Sequence, residues 1–153
     1  MEFKKEHKTS IYRPRPDIKK KNFQFWGHNC FSVSSENNTL IIDPWFSEYG
    51  AFYSSWFQYP KNHKFKKNVL DLLIQSKKNY IFISHEHQDH YDEKFLSLVP
   101  KDTLMIIPNY RDKNFRNQVL KLFDNVIELA ENKEYKLNNE IIISLFIKDI
   151  GIS

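Results

Sequence analysis

Three histidines and one aspartate fall within six positions of the run Ser84-His85-Glu86-His87-Gln88-Asp89-His90-Tyr91-Asp92. The apolar run Tyr80-Ile81-Phe82-Ile83 stands directly before it. If the backbone leaves a strand in extended form, side chains alternate. Residues 85, 87 and 89 then point to one side, and His90 reaches the other flank of the same pocket. Neutral imidazole with carboxylate is a ligand set for zinc, iron or manganese rather than calcium. Four such groups this close could hold two metals side by side. A solvated histidine-rich loop is the competing explanation. Half of the chain's six histidines sit in this one window, with the aspartate in place, and that favours the metal site.

The segment resembles the signature of the metallo-β-lactamase superfamily, whose members are mostly metal-dependent hydrolases. Trp26-Gly27-His28-Asn29-Cys30-Phe31 precedes a hairpin, and Leu40-Ile41-Ile42-Asp43-Pro44-Trp45-Phe46 closes its second strand. With Ile81-Phe82-Ile83-Ser84, these stretches are similar to the branch holding the ascorbate-phosphate lactonases, N-acyl-phosphatidylethanolamine phospholipase D and the CMP-sialic acid hydroxylases. The resemblance covers roughly residues 23 to 110. The histidine run is specific to the superfamily, whereas the Asp-Pro-Trp element only suggests a branch.

The resemblance implies that His85 and His87 bind a first metal, and Asp89 and His90 a second. The cofactor is expected to be one or two Zn2+, or Fe in their place. A divalent metal lowers the pKa of its bound water towards neutrality and polarises the oxygen under attack, and Asp89 is the catalytic candidate for orienting that water. Asp43 is expected to hydrogen-bond into the metal loop and orient the ligands, although an aspartate before Pro44 would also suit a turn. Glu86 and Gln88 are expected to point away from the metals. His28 could lie near the pocket, but a lone histidine more often satisfies a local hydrogen bond, so it is not taken as a ligand. His63 has a weaker claim, and His7 has none.

One part of the pattern is absent: no histidine follows His90. In the superfamily the first metal takes a third histidine from further along the chain. A later aspartate bridges the metals, and a final histidine completes the second site. Those parts belong to the second half of an αββα sandwich. The sequence ends at Ile150-Gly151-Ile152-Ser153, and Asp149 has no assignable role. The expected fold class is therefore α/β: the N-terminal half of a metallo-β-lactamase-type αββα sandwich, a mixed sheet with covering helices. The chain is expected to be the N-terminal portion of a longer protein. Two protein ligands per metal make a weaker site than the three of a typical catalytic zinc, so the 153 residues alone are expected to be inactive.

Composition bounds the rest. A chain of 153 residues with 41% hydrophobic and 16% aromatic content can build one globular core. Its single cysteine, Cys30, argues against a disulfide framework, is compatible with a reducing cytoplasm and reads as a buried structural thiol. No apolar run is long enough to cross a bilayer, and no secretory signal opens the chain, so the expected location is cytoplasmic. The net charge of +4 is mostly lysine on a solvated surface, with attraction to an anionic substrate as the other use. No nucleic-acid-binding motif is recognisable, and nucleic acid is set aside as a partner.

The elements that must position the site follow from periodicity. Residues 1 to 22 read as a basic extension, with Pro14 and Pro16 against regular structure, and residues 23 to 153 as the domain. Phe23–Trp26, Cys30–Val33 and Thr39–Ile42 alternate like strands, with turn chemistry at Glu36-Asn37-Asn38. Residues 44 to 66 form a long loop packed with aromatics, either a small core of its own or a substrate wall. A helix capped by Asn68 runs through Ile74, a strand through Tyr80–Ser84, and a helix capped by Asp92 through Leu98. A strand at Leu104–Ile107, a helix from about Asp112 to Phe123, and strands at Asn125–Leu129 and Ile141–Ile147 complete the pattern.

The leading function is hydrolysis of an ester, lactone or phosphodiester in a small anionic substrate by metal-activated water. A di-iron oxygenase resembling the CMP-sialic acid hydroxylases competes with it, because the ligand set suits iron equally. An incomplete, non-catalytic metal-binding fragment is the third reading. The substrate and the oligomeric state are not encoded in any motif.

Overall fold

The computed structural model describes residues 22–138 and 141–145. The expected extension lies outside the described residues except for Asn22, as do the last residues of the expected 141–147 strand, Asp149 and the final four positions. Six strands form one mixed sheet in sequence order: β1 (Asn22–Gly27), β2 (Cys30–Ser34), β3 (Asn38–Ile42), β4 (Lys78–Phe82), β5 (Leu104–Pro108) and β6 (Val126–Leu129). β1, β2 and β3 pair antiparallel through short turns, while β3, β4, β5 and β6 run parallel. Parallel neighbours need crossovers, supplied by α1 (Lys66–Gln75), α2 (Glu93–Leu96) and α3 (Asn114–Leu120).

Strand periodicity divides the interior in two. On one face Ile41, Ile81, Met105 and Ile107 pack with Val69 and Leu73 of α1, Phe95 of α2, and Phe115 and Val119 of α3. On the other, Leu40, Tyr80, Ile106 and Leu129 meet the hairpin of β7 (Glu134–Lys136) and β8 (Ile142–Ser144), which brings Tyr135 and Ile143. A mixed sheet with a helix layer on one face and the start of another layer on the other is the expected α/β arrangement. Because the parallel strands are buried on both faces, their sequence reads as continuous apolar runs. Cys30 lies fully inside the helix-side core.

Local chemistry moved several boundaries. Asn68 does not cap α1. A 3-10 turn at His63–Phe65 rolls into the helix, which starts at Lys66 and leaves Asn68 within it. Asp92 does cap α2, accepting from the backbone of Phe95 at 3.1 Å, but that helix ends at Leu96 and leaves Leu98 exposed. Asp112 precedes α3 and accepts from the backbone of Asn114 at 2.9 Å, so the helix begins two residues later than its pattern. β7 carries no strand signal of its own, and its Glu134-Tyr135-Lys136 was not anticipated.

Candidate metal centre

The site stands where the parallel strands end. β3 closes at Ile42 and β4 at Phe82, paired to each other, so Asp43 and Ser84 emerge side by side at one edge of the sheet. Asp43 has a left-handed backbone, φ 43°, a conformation that aspartate tolerates better than most residues at about 1–2 kcal/mol. The turn aims its carboxylate at the histidine loop. Oδ1 accepts from the Ser84 backbone at 2.7 Å, and Oδ2 accepts from the Ser84 hydroxyl and from His90 Nδ1, each at 2.8 Å.

These contacts assign the tautomers. Ser84 spends its only proton on Asp43, so at 2.9 Å it accepts from His85 Nδ1. His85 Nε2 is then a lone pair and accepts from His87 Nδ1 at 3.0 Å. His90 donates its Nδ1–H to Asp43, and its Nε2 faces Asp89 Oδ2 at 3.3 Å and the Asn29 amide nitrogen at 3.4 Å. Tyr110, in the loop after β5, donates to the Ser84 carbonyl at 2.6 Å and braces the loop from behind. The rings of His85 and His87 lie 4.6 Å apart, and those of His85 and His90 4.1 Å apart.

The electrostatics differ along the loop. His85 is held below the ordinary histidine range, first by burial and then by the neighbouring His90 and His87. For His90 burial pulls the same way, but the Asp43 hydrogen bond, the Asp43 charge and the Asp89 charge outweigh it and raise the ring above that range. Tyr110 is raised by burial and by the charges of Glu86 and Asp43.

His28 was set aside in the sequence, yet the β1–β2 turn carries its Nε2 to 3.2 Å from Asp89 Oδ2. Gly27, at φ 111°, and His28, at φ 52°, make that turn, and a register shift between Phe25 and Gly27 bends the strand into it. A side chain at Gly27 would also press on Asn62, whose Cβ is 3.3 Å from the added atom. The sequence allowed His28 a place near the pocket but gave no reason to count it as a ligand, because its partner lies 61 residues away.

The donor set suits a metal. His28, Asp89 and His90 present one ligand atom each, all within 4.8 Å of one another. Asp89 is buried, and its Oδ1 has no hydrogen-bond partner among the described residues. An unpaired buried carboxylate oxygen is costly, and a cation held beside it offsets that cost. His85 and His87 form a separate pair beside this trio.

Two cavities flank the loop. One of about 430 Å³ is lined by His85, His87, Tyr110 and Arg111, with Glu86 and Asp112 bringing opposite charge. The larger, about 530 Å³, is lined by Tyr49, Tyr53, Glu86 and Gln88 and by none of the four predicted ligands. Gln88 turns away from the histidines and accepts from the backbone of Phe52 at 2.6 Å. The aromatic loop divides its labour: Trp45 and Phe46 are core, while Phe52 and Trp56 stand 6.0 Å from His87 and 6.3 Å from His28, ring to ring.

A family model described as the beta-lactamase superfamily domain matches residues 22–147. The chain belongs to the beta-lactamase superfamily. Its architecture is a partial metallo-β-lactamase fold, as CmlA, a diiron β-hydroxylase from Streptomyces venezuelae, illustrates. That crystal structure shares the fold with a TM-score of 0.53 at 18% identity, over 81% of this chain and 23% of that one. A Mycobacterium tuberculosis protein named "Putative Rieske 2Fe-2S iron-sulfur protein" is 29% identical over 113 residues, covering 72% of this chain and 20% of that protein. A similarly named protein from Mycolicibacterium smegmatis is 29% identical over 114 residues, 73% of this chain and 21% of its own length. The chain thus spans about one fifth of the length of these curated relatives. No helix among the described residues is long and apolar enough to cross a membrane.

Proposed function

We propose that this superfamily domain carries the metal-binding part of a metal-dependent hydrolase, with His85, His87, Asp89 and His90 as ligands. The observation that carries the reading is the buried, partnerless Asp89 Oδ1 beside a His90 ring whose Nδ1 is held by Asp43, which turns Nε2 towards Asp89. A bound divalent metal supplies Lewis acidity and water of near-neutral pKa. Asp43 fixes the orientation of His90 and, through Ser84, that of His85. Asp89 keeps one oxygen available to accept a proton from a nucleophile. Arg111, exposed in the cavity beside His85 and His87, supplies a cation for a small anionic substrate.

Iron-dependent hydroxylation is the second reading, favoured by the curated relatives' name. A Rieske cluster passes electrons and needs two cysteines and two histidines. With Cys30 as its only cysteine, this chain does not itself carry the ligand set for such a cluster. A cluster elsewhere in such a protein would serve an oxidative centre better than a hydrolytic one.

The test is elemental analysis of the purified chain, with ester, lactone and phosphodiester turnover on the zinc form and oxygen uptake on the iron form assayed in the whole protein. Hydrolysis that rises with zinc and is lost on chelation supports the first reading. Iron retention with reductant-dependent oxygen uptake supports the second. A chain that takes up neither metal overturns both.

A further inference from the structure

The β1–β2 turn brings His28 to the histidine loop at the long end of hydrogen-bond distance. Its Nε2 lies 3.2 Å from Asp89 Oδ2, and His90 Nε2 lies 3.3 Å from the same oxygen. A charge-assisted N–H···O contact closes to about 2.7–2.9 Å. Ligands about 2.0–2.1 Å from a tetrahedral zinc stand about 3.3 Å from each other, the length of the tetrahedron's edge. Both contacts fall on that length. The ring is also held in place: Trp45 meets it edge-on at 4.9 Å, and its side chain is only 18% exposed. The left-handed backbone of His28 is a conformation kept where the surroundings over-determine it, often at functional sites.

We infer that His28 is a third protein ligand of the metal held by Asp89 and His90. This rests on the metal-dependent reading above and extends it to a residue from the first hairpin. Two imidazoles and one carboxylate, with further positions open, form a set used by catalytic zinc and by non-haem iron alike. The site at Asp89 then draws three ligands from described residues. The His85–His87 pair has two.

Cobalt(II) titration of the full chain separates the claims, read by the visible d–d band and by competition with a chelating indicator. A His85→Asn/His87→Asn background isolates the Asp89 site, and His28→Asn is added to it because asparagine tolerates the left-handed backbone. The expected result is one cobalt in the background, bound at least tenfold more weakly after His28→Asn, with a shifted band and unchanged far-UV circular dichroism. Equal affinity and an unchanged band after His28→Asn overturn the ligand while leaving the metal centre standing. Cobalt bound by the unmodified chain but not by the background also overturns it. No cobalt on the unmodified chain sinks the metal reading itself. If His28→Asn unfolds, His28→Cys decides. A thiolate-to-cobalt charge-transfer band supports ligation, and a folded variant without it overturns the inference.

Discussion

At the scale of single residues, Asp43 concentrates the most control. One carboxylate takes three hydrogen bonds, from the Ser84 backbone, the Ser84 hydroxyl and His90, and so sets the tautomers of two histidines. Asp43→Asn should keep the left-handed turn but lose the charge and one acceptor. Zinc affinity is expected to fall about 10–100-fold, as for other groups that orient metal ligands. Chelator competition on folded variant and parent measures it, and parity would mean that His90 needs no such support. Cys30 makes an opposite prediction, of inertness. Burial first, then the Asp43 charge, pushes its thiol well above the ordinary value of 9.0. A raised acid is stabilising below its ordinary pKa and loses that contribution as pH climbs past it, so stability should erode above about pH 9. At pH 8 iodoacetamide should label Cys30 only after denaturation; rapid native labelling would refute its burial. The histidine loop was readable because its residues are consecutive. Tyr110 was not, and His28 was read as near the pocket but not as a ligand, because a solitary histidine and a tyrosine after an apolar strand acquire their partners only from the fold.

At the scale of elements, strands were legible and helix ends were not. Ile41, Ile81 and Met105 alternate with Leu40, Tyr80 and Ile106 across a sheet that buries both faces, and that periodicity is written in the sequence. Helix starts depend on what the preceding turn does, which is why Asn68 ended up inside α1. Asp92 was readable as a cap, but its larger task was hidden. Besides capping α2, its carboxylate accepts from the backbones of Phe46 and Ser47 at 2.9 and 2.8 Å, tying the aromatic loop to the exit of the histidine loop. Asp92→Ala strands those buried donors as well as the cap. With about 1–3 kcal/mol for a buried group left unpaired and 0.5–2 for a cap, the loss should be about 3 kcal/mol. Urea denaturation measures it, with the exposed neighbour Glu93→Gln expected to stay within about 0.5 kcal/mol. A loss below about 1 kcal/mol for Asp92→Ala would show that the aromatic loop is anchored elsewhere.

At the scale of the whole molecule, the two faces of the sheet are unequally covered. Helices seal the side that carries Ile81 and Met105, whereas the opposite side meets only the β7–β8 hairpin among the described residues. At the margin stands β1, whose one strand partner among the described residues is β2. Its outward rings, Phe23 at 67% exposure and Phe25 at 38%, stack on Phe31 at 5.5 and 5.2 Å. An aromatic row along a strand with one strand partner among the described residues offers apolar area to another chain. The chain alone should therefore scatter light as more than a monomer at tens of micromolar. Phe23→Lys/Phe25→Lys should return it to monomer mass, because charge on an edge strand opposes pairing. The metal stoichiometry should be the same in both, since β1 reaches the centre only through the turn at Gly27 and His28. A parent chain that stays monomeric across that range would show that other residues of the chain already cover β1. A lysine variant that loses metal with its association would instead place the edge strand and the metal centre in one cooperative unit.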